Sequence, residues 1–171
     1  ALGEQGTLFI STQVIGKLYA VTDAFSSAPR LITIATDLDM PNGIAFFDGA
    51  LYVAEAKRIV RYRNIEQHLE NIAESEVVVA ELPFKNKMHA WKYIGFDSRD
   101  RLYVSIGAPC NICEAPGLAV MLRMNADGSK LETIARGIRN SVGFDWHPTT
   151  GELWFTDNGR DMLGDNVPPD E

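Results

Sequence analysis

Three stretches of this 171-residue chain carry side chains whose types and spacing could do chemistry. The first is Met88-His89-Ala90-Trp91. An imidazole titrates near neutrality, so His89 is a candidate general base for a hydroxyl proton; a histidine that only hydrogen-bonds within its loop is the plainer reading. The second is Arg139-Asn140, a cation beside an amide. A guanidinium grips a carboxylate through two parallel hydrogen bonds, so this pair suits a carboxylate-bearing ligand; an arginine paired with a neighbouring acid is the plainer reading. The third is Asp157-Asn158-Gly159-Arg160, which opens an acidic run continuing through Asp161, Asp165, Asp170 and Glu171. With Gly159 and Gly164 to bend the backbone, this run offers oxygen ligands for calcium, yet its spacing matches no EF-hand and such loops are usually solvated surface.

Cys110-Asn111-Ile112-Cys113 is a CxxC pair with no second pair to complete a zinc site. It lacks the strand-to-helix setting of a thioredoxin-like motif. A local disulfide would brace the loop in an oxidising compartment, and cysteine usage alone does not choose. His68 and His147 are expected to be solvated, the latter in a turn before Pro148.

The elements that must position these residues repeat. Gly6-Thr-Leu-Phe-Ile-Ser, Gly49-Ala-Leu-Tyr-Val-Ala, Asp100-Arg-Leu-Tyr-Val-Ser and Gly151-Glu-Leu-Trp-Phe-Thr read alike, with their leucines 43, 51 and 51 residues apart. A period of roughly 40–50 residues is that of propeller blades. Asn42-Gly-Ile-Ala-Phe, Lys92-Tyr-Ile-Gly-Phe and Ser141-Val-Gly-Phe-Asp-Trp precede the last three blocks, each separated from its block by turn residues. Further apolar runs follow at 58–63, 76–82, 119–125 and 131–136, and the first unit has runs at 8–12, 16–21 and 31–36. Ile65, Leu69 and Ile72 fall at helical spacing, so 64–74 is expected to be a helical insertion.

The expected fold is therefore all-β: a β-propeller of four-stranded antiparallel blades, with about three and a half blades present of six. The divisions are 1–40 (an incomplete blade without an inner strand), 41–85, 86–138 and 139–171, the start of a fourth. Six blades at this interval need about 306 residues, so the chain is expected to be roughly half a ring. Loops entering the inner strands hold Met40-Pro41-Asn42, Met88–Trp91 and Arg139-Asn140; those after the second strands hold Glu55, Gly107–Cys110 and Asp157–Arg160. These two sets share one face.

Composition narrows the class. The chain is 46% hydrophobic and 23% charged, an ordinary globular balance. A net charge of −7 with scattered basic residues argues against nucleic-acid binding. No apolar run approaches the roughly 18 residues of a membrane span, and Ala1–Thr7 has neither the basic start nor the apolar stretch of a secretion signal.

The stretch from His89-Ala-Trp-Lys-Tyr-Ile-Gly-Phe-Asp-Ser-Arg-Asp-Arg-Leu-Tyr-Val-Ser-Ile to Gly107 resembles the signature of soluble pyrroloquinoline quinone (PQQ)-dependent sugar dehydrogenases. Gly107-Ala-Pro-Cys-Asn-Ile-Cys-Glu114 resembles their sorbosone-dehydrogenase-like branch. Arg136-Gly-Ile-Arg139-Asn140, followed by Leu-Trp-Phe-Thr-Asp-Asn158-Gly159-Arg160, is similar to the family's Arg-Asn block, and the likeness runs from about Pro41 onward. It differs at Met88, where some members carry an acid, and at Ala108, where Asp is common.

The resemblance implies a six-bladed propeller with PQQ in a central cleft, oxidising a sugar or sugar aldehyde. In it His89 would remove the hydroxyl proton as hydride passes to the quinone. Arg139 would lie against the quinone face and stabilise developing negative charge. Asn140 and Asn158 would contact the cofactor, and the backbone carbonyls of Gly159 and Arg160 would ligate calcium. Family members are mostly periplasmic or secreted, which favours a Cys110–Cys113 disulfide. Further basic cofactor contacts of the family lie in later blades, so the chain alone is expected to be inactive. Two alternatives stand beside this: a calcium-dependent gluconolactonase-like hydrolase using Asp157 or Asn158, and a non-enzymatic NHL-type binding propeller. A homo-dimer covering open blade edges is a further expectation.

Overall fold

In a computed structural model, residues 1–162 and Gly164 are described. Asp165, Asp170 and Glu171 of the acidic run lie outside them. Two compact units divide at Leu82/Pro83.

The first unit begins with β1 (Leu8–Thr12), β2 (Lys17–Thr22) and β3 (Arg30–Ala35), an antiparallel sheet in chain order. Ahead of β1, Leu2 pairs antiparallel with Leu8, and the Phe9 N–H donates to the Ala1 carbonyl at 2.8 Å. Residues 1–3 thus take the inner position that the sequence left empty. Next come β4 (Gly43–Phe47), β5 (Ala50–Ala54), β6 (Ile59–Tyr62) and β7 (Glu76–Val79), a four-stranded meander. Phe9, Leu18, Leu51, Val53 and Val60 from both sheets form one core. β5 is buried along its whole length, which is why Ala-Leu-Tyr-Val-Ala reads as an unbroken apolar run rather than an alternating one.

The helical insertion expected at 64–74 is corrected by the structure. Only a single 3₁₀ turn forms, Ile65–Gln67, and Asn64 before it sits in the left-handed region at φ 48°. Ile65, Leu69 and Ile72 instead pack irregularly on the first core, so their spacing reflects shared burial and not a helix face.

The second unit holds β8 (Ile94–Phe96), β9 (Arg101–Ile106), β10 (Val120–Asn125) and β11 (Glu132–Arg136), again a meander, then the pair β12 (Phe144–Trp146) and β13 (Leu153–Phe155). Tyr103, Met121, Ile138 and Phe144 form its core, with Trp146 and Leu153 against it. Thirteen strands among the described residues fall in groups of three, four, four and two, as the repeat predicts.

Register reveals a second repeat. Tyr52 pairs with Arg61 and Arg61 with Glu76; Tyr103 pairs with Arg123 and Arg123 with Glu132. Each arginine lies 5.9 Å from its tyrosine ring centroid and bonds its glutamate, Arg61 at 3.0 Å and Arg123 at 2.5 Å. A Tyr–Arg–Glu ladder therefore crosses the outer three strands of both complete blades, joining a cation–π contact to an ion pair.

Candidate functional site

The loop 107–113 leaves the end of β9 and joins the candidate residues. Gly107 is required there: a Cβ would fall 2.6 Å from both the Cβ and the carbonyl oxygen of His89. His89 itself holds a left-handed backbone, φ 48°, a conformation histidine adopts more readily than most residues but still at a cost. Its Nδ1 lies 3.0 Å from the Ala108 carbonyl. A carbonyl only accepts, so Nδ1 carries a hydrogen, and in the neutral ring it is Nε2 that can accept a proton. Trp91 meets the imidazole edge-on, 5.9 Å between centroids.

The preceding peptide meets Arg139: the Ala108 N–H donates to the Arg139 carbonyl at 2.7 Å. One residue, Ala108, thus bonds both candidates through the two peptides that flank its Cα. The Asp157 carboxylate fixes the turn, accepting the backbone N–H of Arg139 at 3.0 Å and of Asn140 at 2.7 Å. Asn140, buried, accepts the Asn158 N–H at 3.2 Å.

The Arg139 guanidinium is held along its edge. Nε donates to the Asn111 carbonyl at 3.3 Å and one terminal nitrogen to the Asn158 carbonyl at 2.9 Å. The other donates to Asn111 Oδ1 at 3.0 Å and Asp161 Oδ2 at 2.6 Å. With four of five N–H donors engaged, it is poorly placed to clamp a ligand carboxylate edge-on; its flat faces are what it can present to a planar ring.

A cleft of about 760 Å³ lies beside this network, lined by Asn111, Cys113, Glu114, Arg139, Asp157 and Arg160 among others. That size suits a small-molecule ligand. His89 does not line it; with Lys92 and Gly107 it lines a narrow crevice of about 10 Å³. Lys92 is buried, its Nζ donating to the Ala90 carbonyl at 2.6 Å, and burial pushes its ammonium down to about 8. Cys110 and Cys113 form a disulfide.

Other candidates serve structure. Buried Glu55 accepts from the Asp39 N–H at 2.8 Å and from Arg58 at 2.5 Å. His147, exposed, accepts the N–H groups of Thr149 and Thr150 and so caps its turn. Among the described residues no three His, Cys, Asp or Glu side chains group closely enough to hold a metal ion. The parts that the sequence concealed are Asn111 and the clamp by Asp157, whose bonds span from 17 to 50 residues of chain. Only Asp157's place after a second strand, opposite Arg139-Asn140, pointed to a shared site.

Four-stranded antiparallel meanders repeated along the chain define a β-propeller-type fold. Solved structures agree. The PQQ domain of pyranose dehydrogenase from Coprinopsis cinerea, in its holo form, superposes with TM-score 0.80 at 16% identity, covering 100% of this chain and 46% of that one. The Trichoderma reesei carbohydrate-active enzyme of family AA12 gives 0.76 in both an iodide and a calcium structure, at 23% and 22% identity, again over 46% of its length. At these identities the likeness is one of fold. No family model matches the chain. An uncharacterized protein from Borreliella burgdorferi is 40% identical over 152 residues, 83% of this chain. The chain spans 40% of that relative's length.

Proposed function

We propose that the protein to which this chain belongs is a PQQ-dependent dehydrogenase acting on a sugar or sugar aldehyde. The observation that carries the reading is Ala108, whose carbonyl faces the His89 imidazole and whose N–H bonds the backbone of Arg139, the arginine that lines the cleft. The fold's likeness to a PQQ domain supports it.

The residues present fit such a group. PQQ is planar and carries three carboxylates; Arg139 lines the cleft with its edge occupied, and exposed Arg160 brings positive charge to the same wall. Calcium would rest on backbone carbonyls at Gly159 and Arg160, with hard oxygen donors as that ion prefers. When bound, PQQ would supply the two-electron acceptor, a task no side chain here can perform. The chain's own residues do the rest. His89 takes the hydroxyl proton at Nε2, while the Ala108 carbonyl holds the tautomer and steadies the imidazolium that results. Arg139 places its charge beside the cleft in a fixed orientation, so little reorganisation is needed as negative charge develops. Asp157 keeps Arg139 and Asn140 in register. The sorbosone-like branch, a periplasmic or secreted location and the inactivity of the chain alone belong to the same proposal, and the disulfide supports an oxidising compartment. No described helix is long and apolar enough to cross a membrane. A lactonase draws less support, because Glu55 and Asp157 already accept protein hydrogen bonds.

The test is dye-linked oxidation of aldoses and sugar aldehydes by the full-length protein with PQQ and calcium. His89→Gln is expected to lower kcat about 10²–10⁴-fold with PQQ binding retained. Lactone hydrolysis without PQQ, or no PQQ binding, would overturn the proposal.

A further inference from the structure

We propose that the Cys110–Cys113 disulfide is a redox-responsive site that sets how firmly Asn111 holds Arg139 and the 157–161 segment against the cleft. Asn111 lies inside the four-residue disulfide loop and makes four hydrogen bonds. Its carbonyl and Oδ1 accept from Arg139 at 3.3 and 3.0 Å. Oδ1 also accepts the Asp161 N–H at 2.9 Å, and Nδ2 donates to the Asp161 carbonyl at 3.2 Å. Two of the four bonds that hold the Arg139 guanidinium therefore come from this one residue.

The chain upstream of Cys110 is fixed independently. Pro109 is held through its carbonyl by Asn86 at 2.9 Å, and Ala108 is held from both sides. Downstream, no strand begins until Val120, so the disulfide is the covalent restraint that acts beside Asn111's own hydrogen bonds. Closing so short a loop removes backbone freedom that an amide side chain would otherwise have to overcome to keep four partners at once. Cys113 is exposed and lines the cleft, within reach of a soluble thiol.

A dithiol would supply two electrons and two protons: the Cys110–Cys113 bond breaks, two thiols form, and the reductant leaves as its own disulfide. Asn111 then loses its fixed position, and Arg139 keeps Asn158 together with an Asp161 whose side chain is 70% exposed. The latch is a property of the apo chain; only its effect on a cofactor rests on the PQQ reading.

Hydrogen exchange by mass spectrometry tests it on the whole protein before and after dithiothreitol, with reduction verified by alkylation. Peptides covering 107–114 and 157–162 are expected to exchange at least about 10-fold faster when reduced, those of β9 and β10 unchanged. Asn111→Ala should reproduce the change with the disulfide intact. Unaltered exchange in both segments would overturn the latch, as would acceleration spread through β9 and β10, which would make the disulfide a brace of the fold. A parallel PQQ titration should show affinity falling about 10-fold on reduction. Equal affinity of both forms would refute control of the cleft. A protein that binds no PQQ in either form refutes the function proposed above and leaves the exchange result to decide the latch.

Discussion

Lys92 shows how a residue can support a site without touching a ligand. Its ammonium is buried beneath the His89 loop and holds the Ala90 carbonyl, at the cost of desolvation that lowers it from 10.5 to about 8. The folded value lies below the unfolded one, so between about pH 8 and 10.5 the unfolded chain binds more protons. Stability therefore rises with pH across that window, and below it the desolvation cost is present in full. Lys92→Met should remove this rise, worth up to about 3 kcal/mol. Urea denaturation of both proteins at pH 7.5 and pH 10 measures it, and the comparison cancels other groups that titrate there. Parallel pH dependences in the two would show that Lys92 keeps its proton on unfolding and folding alike.

At the scale of the element, the two Tyr–Arg–Glu ladders share a plan but differ in anchoring. Tyr103 donates to Asp97 Oδ2 at 3.0 Å, and that carboxylate also takes Arg101 and two backbone N–H groups. Burial alone would raise the Asp97 carboxyl; these hydrogen bonds outweigh it and hold the group below its usual value. Tyr103→Phe is accordingly expected to cost about 1–3 kcal/mol by stripping a donor from a buried acid. Glu132→Ala, at an exposed ion pair, should cost less than about 1 kcal/mol. Chemical denaturation of the two variants decides; equal losses would mean that the ladder, and not the acid beneath it, carries the energy. The strands themselves were plain in the sequence, because Leu-Tyr-Val flanked by Gly and Asp turns can be read locally. The ladders were not, since Arg123 lies 20 residues from Tyr103 and meets it only through register. Ile65, Leu69 and Ile72 misled for a related reason: packing on one core and lying on one helix face leave the same spacing. His89 and Arg139 were legible as residue types at blade entrances, whereas nothing local marks Asn111, between two cysteines, whose partner Arg139 lies 28 residues away.

For the molecule as a whole, the last described sheet, β12 and β13, departs from the four-stranded plan. By alignment with Tyr52 and Tyr103, Trp154 holds the aromatic position of the ladder, and no third strand carries an arginine to it among the described residues. Trp154 is 64% exposed and Phe155 38%. An apolar strand edge in this condition is a template for pairing. The chain by itself is expected to self-associate at micromolar concentration, and Trp154→Lys to shift it toward monomer. Light scattering across a dilution series checks this; a monomer at every concentration would count against it. A different consequence follows from Ala108. Because the two amides that flank the Ala108 Cα are bonded, one to His89 and the other to Arg139, a displacement of this residue is felt at both. Drift at this loop would shift both together, so selection or engineering that seeks a new substrate must leave Ala108 in place and work through the loops around it.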